Sequence, residues 1–272
     1  MIINAVQAST PPLVLIFGPF DPSGSSSLPA DAVTCAAMGC HALSTLTAIL
    51  VQDTASIEDV QPIAPELIDD QARCLLEDMN VQAIKVGPLY TTESVSVLAQ
   101  IAADYTHVPL VLHLGHLPDE SLIADIDTED VQAALFELLL PQTDIVVASH
   151  NLLEQWQSQG AFAGTDADTP AQALLHFGAK WVLTSGAPLR PGHGSYLLQG
   201  QDNHTSNWAW QAPPVRLSDA DGPLACAITA QLARGLDIHV AVETALSRLQ
   251  AQGGTNSFQP GMGHRLINRS TP

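Results

Sequence analysis

Positively charged residues are scarce in this chain of 272 residues. Nine Lys and Arg stand against 28 Asp and Glu, which gives a formal net charge of −19, and the lysines are Lys85 and Lys180 alone. Nucleic acids and anionic membrane surfaces bind proteins through clusters of Lys and Arg. The charge therefore argues against both as partners. A nucleoside triphosphate would need local positive charge or Mg²⁺ on a molecule that otherwise repels it.

Long hydrophobic runs are missing as well. No run of about 18 apolar residues exists to cross a bilayer, and the N-terminal MIINAVQASTPP lacks the positively charged start and apolar stretch of an export signal. The four cysteines have no spacing typical of metal or redox sites. We expect a cytoplasmic protein with reduced, buried thiols. A tail of residues 1–12 should precede a single domain over residues 13–269.

Several short functional motifs are absent too. The sequence contains no Walker-type GxxxxGK[ST], no GxGxxG after the first strand and no GxSxG. These absences argue against P-loop, dinucleotide-binding and serine-hydrolase functions. His113 and His116 stand close together in HLGH, but no third ligand is evident, which argues against a metal site.

Apolar runs typical of strands alternate with helical patterns along most of the chain. The predicted strands are Leu13–Phe17, Leu43–Leu50, Gln82–Val86, Val108–His113, Asp144–Ala148 and Lys180–Thr184. The predicted helices are Ala30–Met38, Pro65–Met79, Thr92–Tyr105, Thr128–Leu139, Asn151–Gln159 and Thr169–Phe177. This alternation predicts a mostly parallel, doubly wound sheet with helices on both faces, a three-layer α/β/α fold.

The rhythm changes in the last third of the chain. A hairpin is predicted over Gly194–Gly200 and Ser206–Gln211, followed by two closing helices near Ala225–Arg234 and Val240–Ala251. Ligands of open α/β sheets bind outside the carboxyl ends of the strands. The loops that follow the predicted strands are therefore the candidate site.

Four segments in or near these loops carry a resemblance to a known family. They are GPFDPSGSSSLPAD at Gly18–Asp31, ALSTLTAILVQDT at Ala42–Thr54, KVGPL at Lys85–Leu89 and GMGHR at Gly261–Arg265. With them, the chain resembles the hydroxymethylpyrimidine/phosphomethylpyrimidine kinases of thiamine biosynthesis, within the ribokinase-like superfamily. The resemblance covers about residues 13–269 and implies a ribokinase-like fold, ATP and Mg²⁺ as cofactors, and a homodimer.

The resemblance implies an acceptor site made of Asp21, Asp31, Gln52, Gly87 and Pro88. The Gln52 amide can donate one hydrogen bond and accept another in one plane, which matches the edge of an aminopyrimidine. Without the resemblance, Gln52 would be interpreted as a solvent-facing residue after a strand. The two aspartates are also good caps of turns and helices, and capping is compatible with lining a pocket.

On the nucleotide side, the resemblance assigns the N-x-x-E signature to Asn151 and Glu154. Their polar groups would organise Mg²⁺, Glu154 through a water, around the phosphates. Asn151 could instead simply cap the following helix. The family's Lys-Gly-Gly-His segment corresponds to Thr184-Ser-Gly186-Ala, so that Thr184 and Gly186 would border the phosphates without the lysine charge.

The largest departure lies at the predicted catalytic helix, in SDADGPLAC, where the family has HGTGC-type sequences. One register places Gly222 at the position of the catalytic base, and another keeps Cys226 as the base at the cost of an insertion. Asp221, one residue off in the first register, is a third candidate, since a base must accept the proton of the substrate hydroxyl. Asp219 and Asp221 are also typical helix caps, favourable where no anion binds.

Three functions remain open on the sequence. The first is ATP-dependent phosphorylation of 4-amino-5-hydroxymethyl-2-methylpyrimidine, its monophosphate or both. The second is a degenerate family member that binds a pyrimidine-like metabolite without transferring phosphate, as the altered Thr184–Ala187 and Asp219–Ala225 segments indicate. The third is a kinase of a related ring alcohol such as pyridoxal.

Overall fold

The fold was obtained as a computed structural model, which describes residues 10–118, 120–123, 127–190, 193–211, 217, 219–251 and 256–269. Most of the predicted tail of residues 1–12 lies outside the described residues, as does Ser218. The strands are β1 Leu13–Phe20, β2 His41–Gln52, β3 Ile57–Pro62, β4 Ala83–Val86, β5 Leu110–His113, β6 Ile145–Ser149, β7 Trp181–Arg190, β8 His193–Gly200, β9 Thr205–Trp210, β10 Ser257–Phe258 and β11 Leu266–Ile267. The helices are α1 Ser27–Ala37, α2 Pro65–Asp78, α3 Thr92–Asp104, α4 Thr128–Ala134, α5 His150–Ser158, α6 Pro170–His176, α7 Asp221–Ala233 and α8 Ile238–Ala251.

Nine strands form one sheet in the order β3-β2-β1-β4-β5-β6-β7-β8-β9. The six strands from β2 to β7 in that order run parallel, while β3 at one edge and the β8–β9 hairpin at the other are antiparallel. The predicted doubly wound, mostly parallel sheet is therefore confirmed. The predicted hairpin is also present, within one residue of its expected bounds.

The sheet has a hydrophobic core on each face. Along β1, Val14 and Ile16 belong to the core formed with α1, α7 and α8, while Leu15 and Phe17 belong to the core formed with α2 to α6. Side chains of a strand alternate between its two faces, so a strand covered on both sides is apolar throughout. This explains why the central strands appear in the sequence as unbroken apolar runs. None of the described helices is both long and apolar enough to span a bilayer.

Two elements differ from their predicted bounds. The edge strand β3 was not predicted, because four of the six residues in Ile57–Pro62 are Glu, Asp, Gln and Pro and the segment has little apolar pattern. Helix α7 begins at Asp221, whereas the sequence pattern placed its start near Ala225. Pro223 falls in its first turn, where a missing N–H costs nothing because that group has no partner within the helix. Because α7 starts early, part of the predicted catalytic segment forms its first turn.

Candidate active site

The predicted site residues lie at one edge of the sheet. The strands β1, β2, β4, β5, β6 and β7 are parallel, so their carboxyl ends share that edge. The first loop, residues 21–26, follows β1 there, and the start of α7 reaches the end of β7 through a hydrogen bond from Ser185 to Asp221. This is the edge at which open α/β sheets bind ligands.

Asp21 organises the first loop. Its buried carboxylate accepts hydrogen bonds from the backbone N–H groups of Ser23, Ser25 and Ser26 at 2.8 to 3.0 Å, and from their hydroxyls at 2.6 to 3.0 Å. The side chain of Gln52 lies near this carboxylate and also lowers its pKa. Burial alone would raise the pKa of Asp21, but these hydrogen bonds outweigh it and lower the pKa below its ordinary value. Asp21 therefore holds the loop in shape as an ionised carboxylate.

Asp31 forms a buried ion pair with Lys85. The Lys85 ammonium lies 2.5 Å from Asp31 Oδ2, and both side chains are 1% exposed. Burial raises the pKa of Asp31 to about 6, although the charge of Lys85 opposes the shift. The other carboxylate oxygen, Oδ1, is buried and has no hydrogen-bond partner among the described residues. The pair therefore places one unused polar atom beneath the first loop.

The remaining acceptor-site residues lie beside this pair. Gln52 ends β2 and is partly buried. Gly87 follows β4 and donates its N–H to the Phe17 carbonyl at 2.8 Å, which ties it to β1. Pro88 packs against Gly115, in the loop after β5. The structure thus brings all five predicted acceptor-site residues to one end of the sheet.

The C-terminal GMGHR segment closes over the loop after β2. Gly263 donates to Thr54 Oγ1 at 3.2 Å, and His264 donates to the Thr54 carbonyl at 2.6 Å. A Cβ on Gly263 would overlap the backbone of Thr54, so only glycine permits this approach. The contact carries the last described residues, up to Arg269, back to the first loop.

The start of α7 is capped by Asp219. Its Oδ1 accepts hydrogen bonds from the N–H of Asp221 at 3.1 Å and of Gly222 at 2.8 Å. A Cβ on Gly222 would overlap the Asp219 carboxylate, so Gly222 makes room for this cap. The first N–H groups of a helix attract anions. Here the anion is the chain's own carboxylate.

Asp221 points from the start of α7 toward β7. Its Oδ2 accepts a hydrogen bond from the Ser185 hydroxyl at 2.9 Å, and the residue is partly buried. Burial raises the pKa of Asp221 to about 6, the hydrogen bond from Ser185 opposes the shift, and the charge of Asp219 adds to it. A carboxylate with this pKa is ionised at neutral pH and still basic enough to accept a proton.

The other two base candidates are placed differently. Cys226 is fully buried in the core between α1 and α7, and its thiol donates to the Asp31 carbonyl at 3.2 Å. Gly222 lies in the first turn of α7 and has no side chain to accept a proton. Of the three candidates, only Asp221 combines partial exposure with a basic side chain.

Two further side chains lie at this edge: His113, weighed on the sequence only as a metal ligand, and Arg269, which the sequence did not indicate. His113 is buried, with Nε2 3.9 Å from Asp219 Oδ1, and burial lowers its pKa to about 4 against the pull of Asp219, so that it is neutral at pH 7. Arg269 donates to the Gly24 and Ser25 carbonyls at 3.4 and 3.0 Å. His113 ends a predicted strand, which was a usable signal. Arg269 lies 244 residues from its partner Ser25, and no local pattern connects them.

The nucleotide side is more open. Asn151 and Glu154 are exposed near the start of α5, and the helix is capped by Ser149, which accepts from the Leu152 N–H at 3.2 Å. The alternative role of Asn151 as the cap is therefore wrong. The Nδ1 of His150 lies 3.9 Å from Oε1 of Glu154. Among the residues described, no three His, Cys, Asp or Glu converge as a metal site.

The middle of β7 forms the other wall of the predicted nucleotide side. The Thr184 hydroxyl is buried without a hydrogen-bond partner among the described residues. Gly186 has a positive φ of 72° and lies against Trp210 of β9. Gly186 and Trp210, together with Leu189 and Arg190, line an open cleft of about 580 Å³.

Comparison with known proteins identifies the family of this chain. Residues 21–268 match the family model described as phosphomethylpyrimidine kinase. A hydroxymethylpyrimidine/phosphomethylpyrimidine kinase of Streptomyces coelicolor is 31% identical over 87% of this chain and 86% of its own length. These matches cover the first loop, the ion pair and the start of α7.

Solved structures share the fold. A phosphomethylpyrimidine kinase of Clostridium difficile 630 aligns with a TM-score of 0.71 and 22% identity, over 88% of this chain and 99% of that one. A pyridoxal kinase of Bacillus subtilis, solved as an ADP complex, aligns with a TM-score of 0.78 and 19% identity, over 96% and 98%. The fold is ribokinase-like, and by its family model and its curated relative this chain belongs to the phosphomethylpyrimidine kinase family.

Proposed function

We propose that this chain transfers the γ-phosphoryl group of ATP to 4-amino-5-hydroxymethyl-2-methylpyrimidine and to its monophosphate, in thiamine biosynthesis. Membership of the family and the names of the curated relatives support the reaction. The observation that carries the proposal is the position of Gln52 near the Asp21 carboxylate, which three serines hold, at the end of the sheet that also holds the buried pair of Asp31 and Lys85. This arrangement gives the expected acceptor site a polar side chain that can recognise the ring.

Gln52 recognises the aminopyrimidine through its carbonyl. An ionised carboxylate only accepts hydrogen bonds, so the charge of Asp21 favours the amide orientation in which the Gln52 NH₂ faces Asp21 and the Gln52 oxygen is left to accept. The exocyclic amine of the pyrimidine supplies the matching donor. Because Asp21 is itself fixed by three serines, the orientation of the amide is set before substrate binds.

Asp221 serves as the base. It accepts the proton of the hydroxymethyl group while the alcohol oxygen attacks the γ-phosphorus and the bond to ADP breaks, yielding the phosphate ester, ADP and a proton. Its pKa of about 6 keeps it ionised at neutral pH. The buried Cys226 and the side-chain-free Gly222 do not have this capacity.

ATP lies with its phosphates between α5 and α7. Asn151 and Glu154 offer exposed oxygen atoms at the carboxyl end of β6, which fits Mg²⁺ because this ion keeps several waters and needs few protein ligands. These two residues would hold Mg²⁺, Glu154 through a water, and the ion would supply the positive charge that Thr184 and Gly186 do not. Thr184 adds an unused hydroxyl on the opposite wall.

A second candidate function is recognition of a pyrimidine without phosphoryl transfer. The Asp219 cap favours it, because this carboxylate occupies the N–H groups that a phosphate would use. In that case the protein would bind the pyrimidine through the same acceptor site and leave it unchanged.

Mass spectrometry of the products separates these functions. Concentrated protein is incubated with ATP, Mg²⁺ and either the hydroxymethylpyrimidine, its monophosphate or pyridoxal. The proposal expects phosphorylated pyrimidines, and loss of product with Asp221→Asn. Binding of the pyrimidine by calorimetry without any product would support the recognition function, while phosphorylated pyridoxal alone would identify a kinase of a different ring alcohol.

We propose that the chain forms a homodimer through the edge of the sheet near β2. Phe20 of β1 pairs with Ile49 of β2, and Phe20, Ile49 and Val51 are 45%, 43% and 47% exposed. Ile49 and Val51 share one face of their strand. Contiguous exposed apolar residues are typical of interfaces. Sedimentation should give twice the chain mass, and Ile49→Lys should give monomers; a monomeric parent protein would contradict the proposal.

A further inference from the structure

Arg269 is fixed over the first loop with part of its guanidinium unused. Its two terminal nitrogens donate to the Gly24 and Ser25 carbonyls. Its Nε is buried and has no hydrogen-bond partner in the described part of the chain. No carboxylate of a described residue lies within 4.0 Å of it. A guanidinium held in this way still has a donor to offer to an incoming group.

The carboxylates around Arg269 are held by other groups. Two cations act on Asp31, Lys85 and Arg269. Lys85 is the one paired with it, at 2.5 Å, so Arg269 is not its ion-pair partner. The Asp21 carboxylate already accepts six hydrogen bonds from the N–H and O–H groups of three serines. Three carboxylates act on Arg269, those of Asp219, Asp31 and Asp21, and none of them forms a salt bridge with it; Asp219 is held by two helix N–H groups instead.

The anchor of Arg269 indicates which anion it binds. Gly24 and Ser25 belong to the first loop, which Asp21 holds by hydrogen bonds. Asp21 lies near Gln52, the residue proposed to recognise the acceptor ring. Asn151 and Glu154 of the nucleotide side lie on α5, beyond β6. Guanidinium groups match phosphate oxygens in geometry and charge. The anchor of Arg269 on the first loop therefore favours a phosphate carried by the acceptor over the phosphates of the nucleotide.

We infer that Arg269 binds the phosphate of a phosphorylated pyrimidine acceptor, so that it sets the preference of this site for the monophosphate over the free alcohol. The inference rests on the proposed function. Arg269 acts here as a specificity-determining residue for the acceptor, on a segment that lies far from the first loop in sequence.

The test compares both acceptors in Arg269→Gln, Arg269→Lys and Arg265→Gln. Arg265 is the matched control, because it lies on the same segment but its guanidinium is bound to Ser257. Losing a charged hydrogen bond costs about 10- to 100-fold in affinity. We expect Arg269→Gln to lower the ratio of kcat/KM for the monophosphate to that for the alcohol by this factor, Arg269→Lys to restore part of it, and Arg265→Gln to leave the ratio unchanged.

Calorimetric titration of the monophosphate without nucleotide gives a second measurement that does not depend on turnover. Weaker binding to Arg269→Gln than to Arg265→Gln would support the inference even if the parent protein formed no product, which would count against the proposed function alone. An equal loss for both acceptors, or equal binding by the two variants, would overturn the assignment of Arg269.

Discussion

The two halves of the candidate site are stabilised in different ways. In the proposed acceptor half, the charged groups have partners within the protein: Asp21 accepts hydrogen bonds from three serines, and Asp31 pairs with Lys85. In the phosphate half, the start of α7 carries Asp219 on the very N–H groups that attract phosphate. The acceptor half is preorganised for its ligand, whereas the phosphate half is occupied by an anion of its own.

The difference shows how an acidic protein keeps a helix terminus stable in the absence of ligand. A carboxylate at a helix N-terminus is favourable, and it repels a second anion at the same place. The Asp219 carboxylate would therefore weaken nucleotide binding while it stabilises the fold. Mg²⁺ is the charge that would offset this repulsion in the complex.

The largest effect is expected for Asp221→Asn. Loss of a general base lowers kcat by about 10²- to 10⁴-fold, while the hydrogen bond from Ser185 can be kept by the amide oxygen. In the parent protein, kcat/KM should rise as pH increases through about 6, because the ionised form of Asp221 is the active one. Both are measured by product formation.

Cys226→Ser is the matched control for this variant. The Cys226 thiol is buried against the Asp31 carbonyl, and a hydroxyl can donate to the same oxygen. We expect a change in kcat of less than about 3-fold, well under the effect of a lost base. A loss as large as that of Asp221→Asn would assign the base to Cys226 instead.

Asp31→Ala should give the largest loss of stability. It leaves the Lys85 ammonium buried without a partner, and breaking a buried pair in this way costs about 3 to 5 kcal/mol in the free energy of unfolding. Urea denaturation measures the change. The double variant Asp31→Leu with Lys85→Met removes both charges and should recover most of the loss. If Asp31→Ala cost under about 1 kcal/mol, the pair would not be the buried anchor described here.

Asp21→Asn should have a smaller effect, confined to the first loop. Hydrogen bonds to a charged group contribute about 1.5 to 3 kcal/mol, and an amide accepts fewer of them. We expect a loss in this range and a higher KM for the acceptor. Because its pKa is lowered in the folded protein, Asp21 contributes stability above the ordinary Asp pKa of about 3.9, and that stability is lost as pH falls further.

Asp53→Asn is the control for Asp21→Asn. Asp53 accepts hydrogen bonds from the N–H groups of Ala55 and Ser56, but on an exposed loop. Water can replace these contacts, so its substitution should change the free energy of unfolding less than Asp21→Asn does. Equal losses at the two positions would contradict the idea that the first loop depends on a buried carboxylate.

The sequence predicted the sheet well because buried parallel strands such as β1 and β6 are apolar on both faces. It missed β3, whose residues are mostly polar, and the start of α7, where Gly222 and Pro223 disguise a helical turn. The predicted acceptor residues do lie together. Their partnership with the C-terminal segment depends on tertiary packing, and no local pattern reports such a contact.

The smallest change in structure, Asp219→Asn, tests the central claim that the chain's own carboxylate occupies the phosphate half. Asparagine caps helices as well as aspartate does, so the free energy of unfolding should change by less than about 1 kcal/mol. The measurement is the calorimetric affinity for Mg²⁺ and ATP of this variant beside the parent protein. We expect Asp219→Asn to bind ATP about 5- to 30-fold more tightly, because one negative charge has left the start of α7. Equal or weaker binding would contradict the account, since Asp219 would then be no competitor of the phosphate.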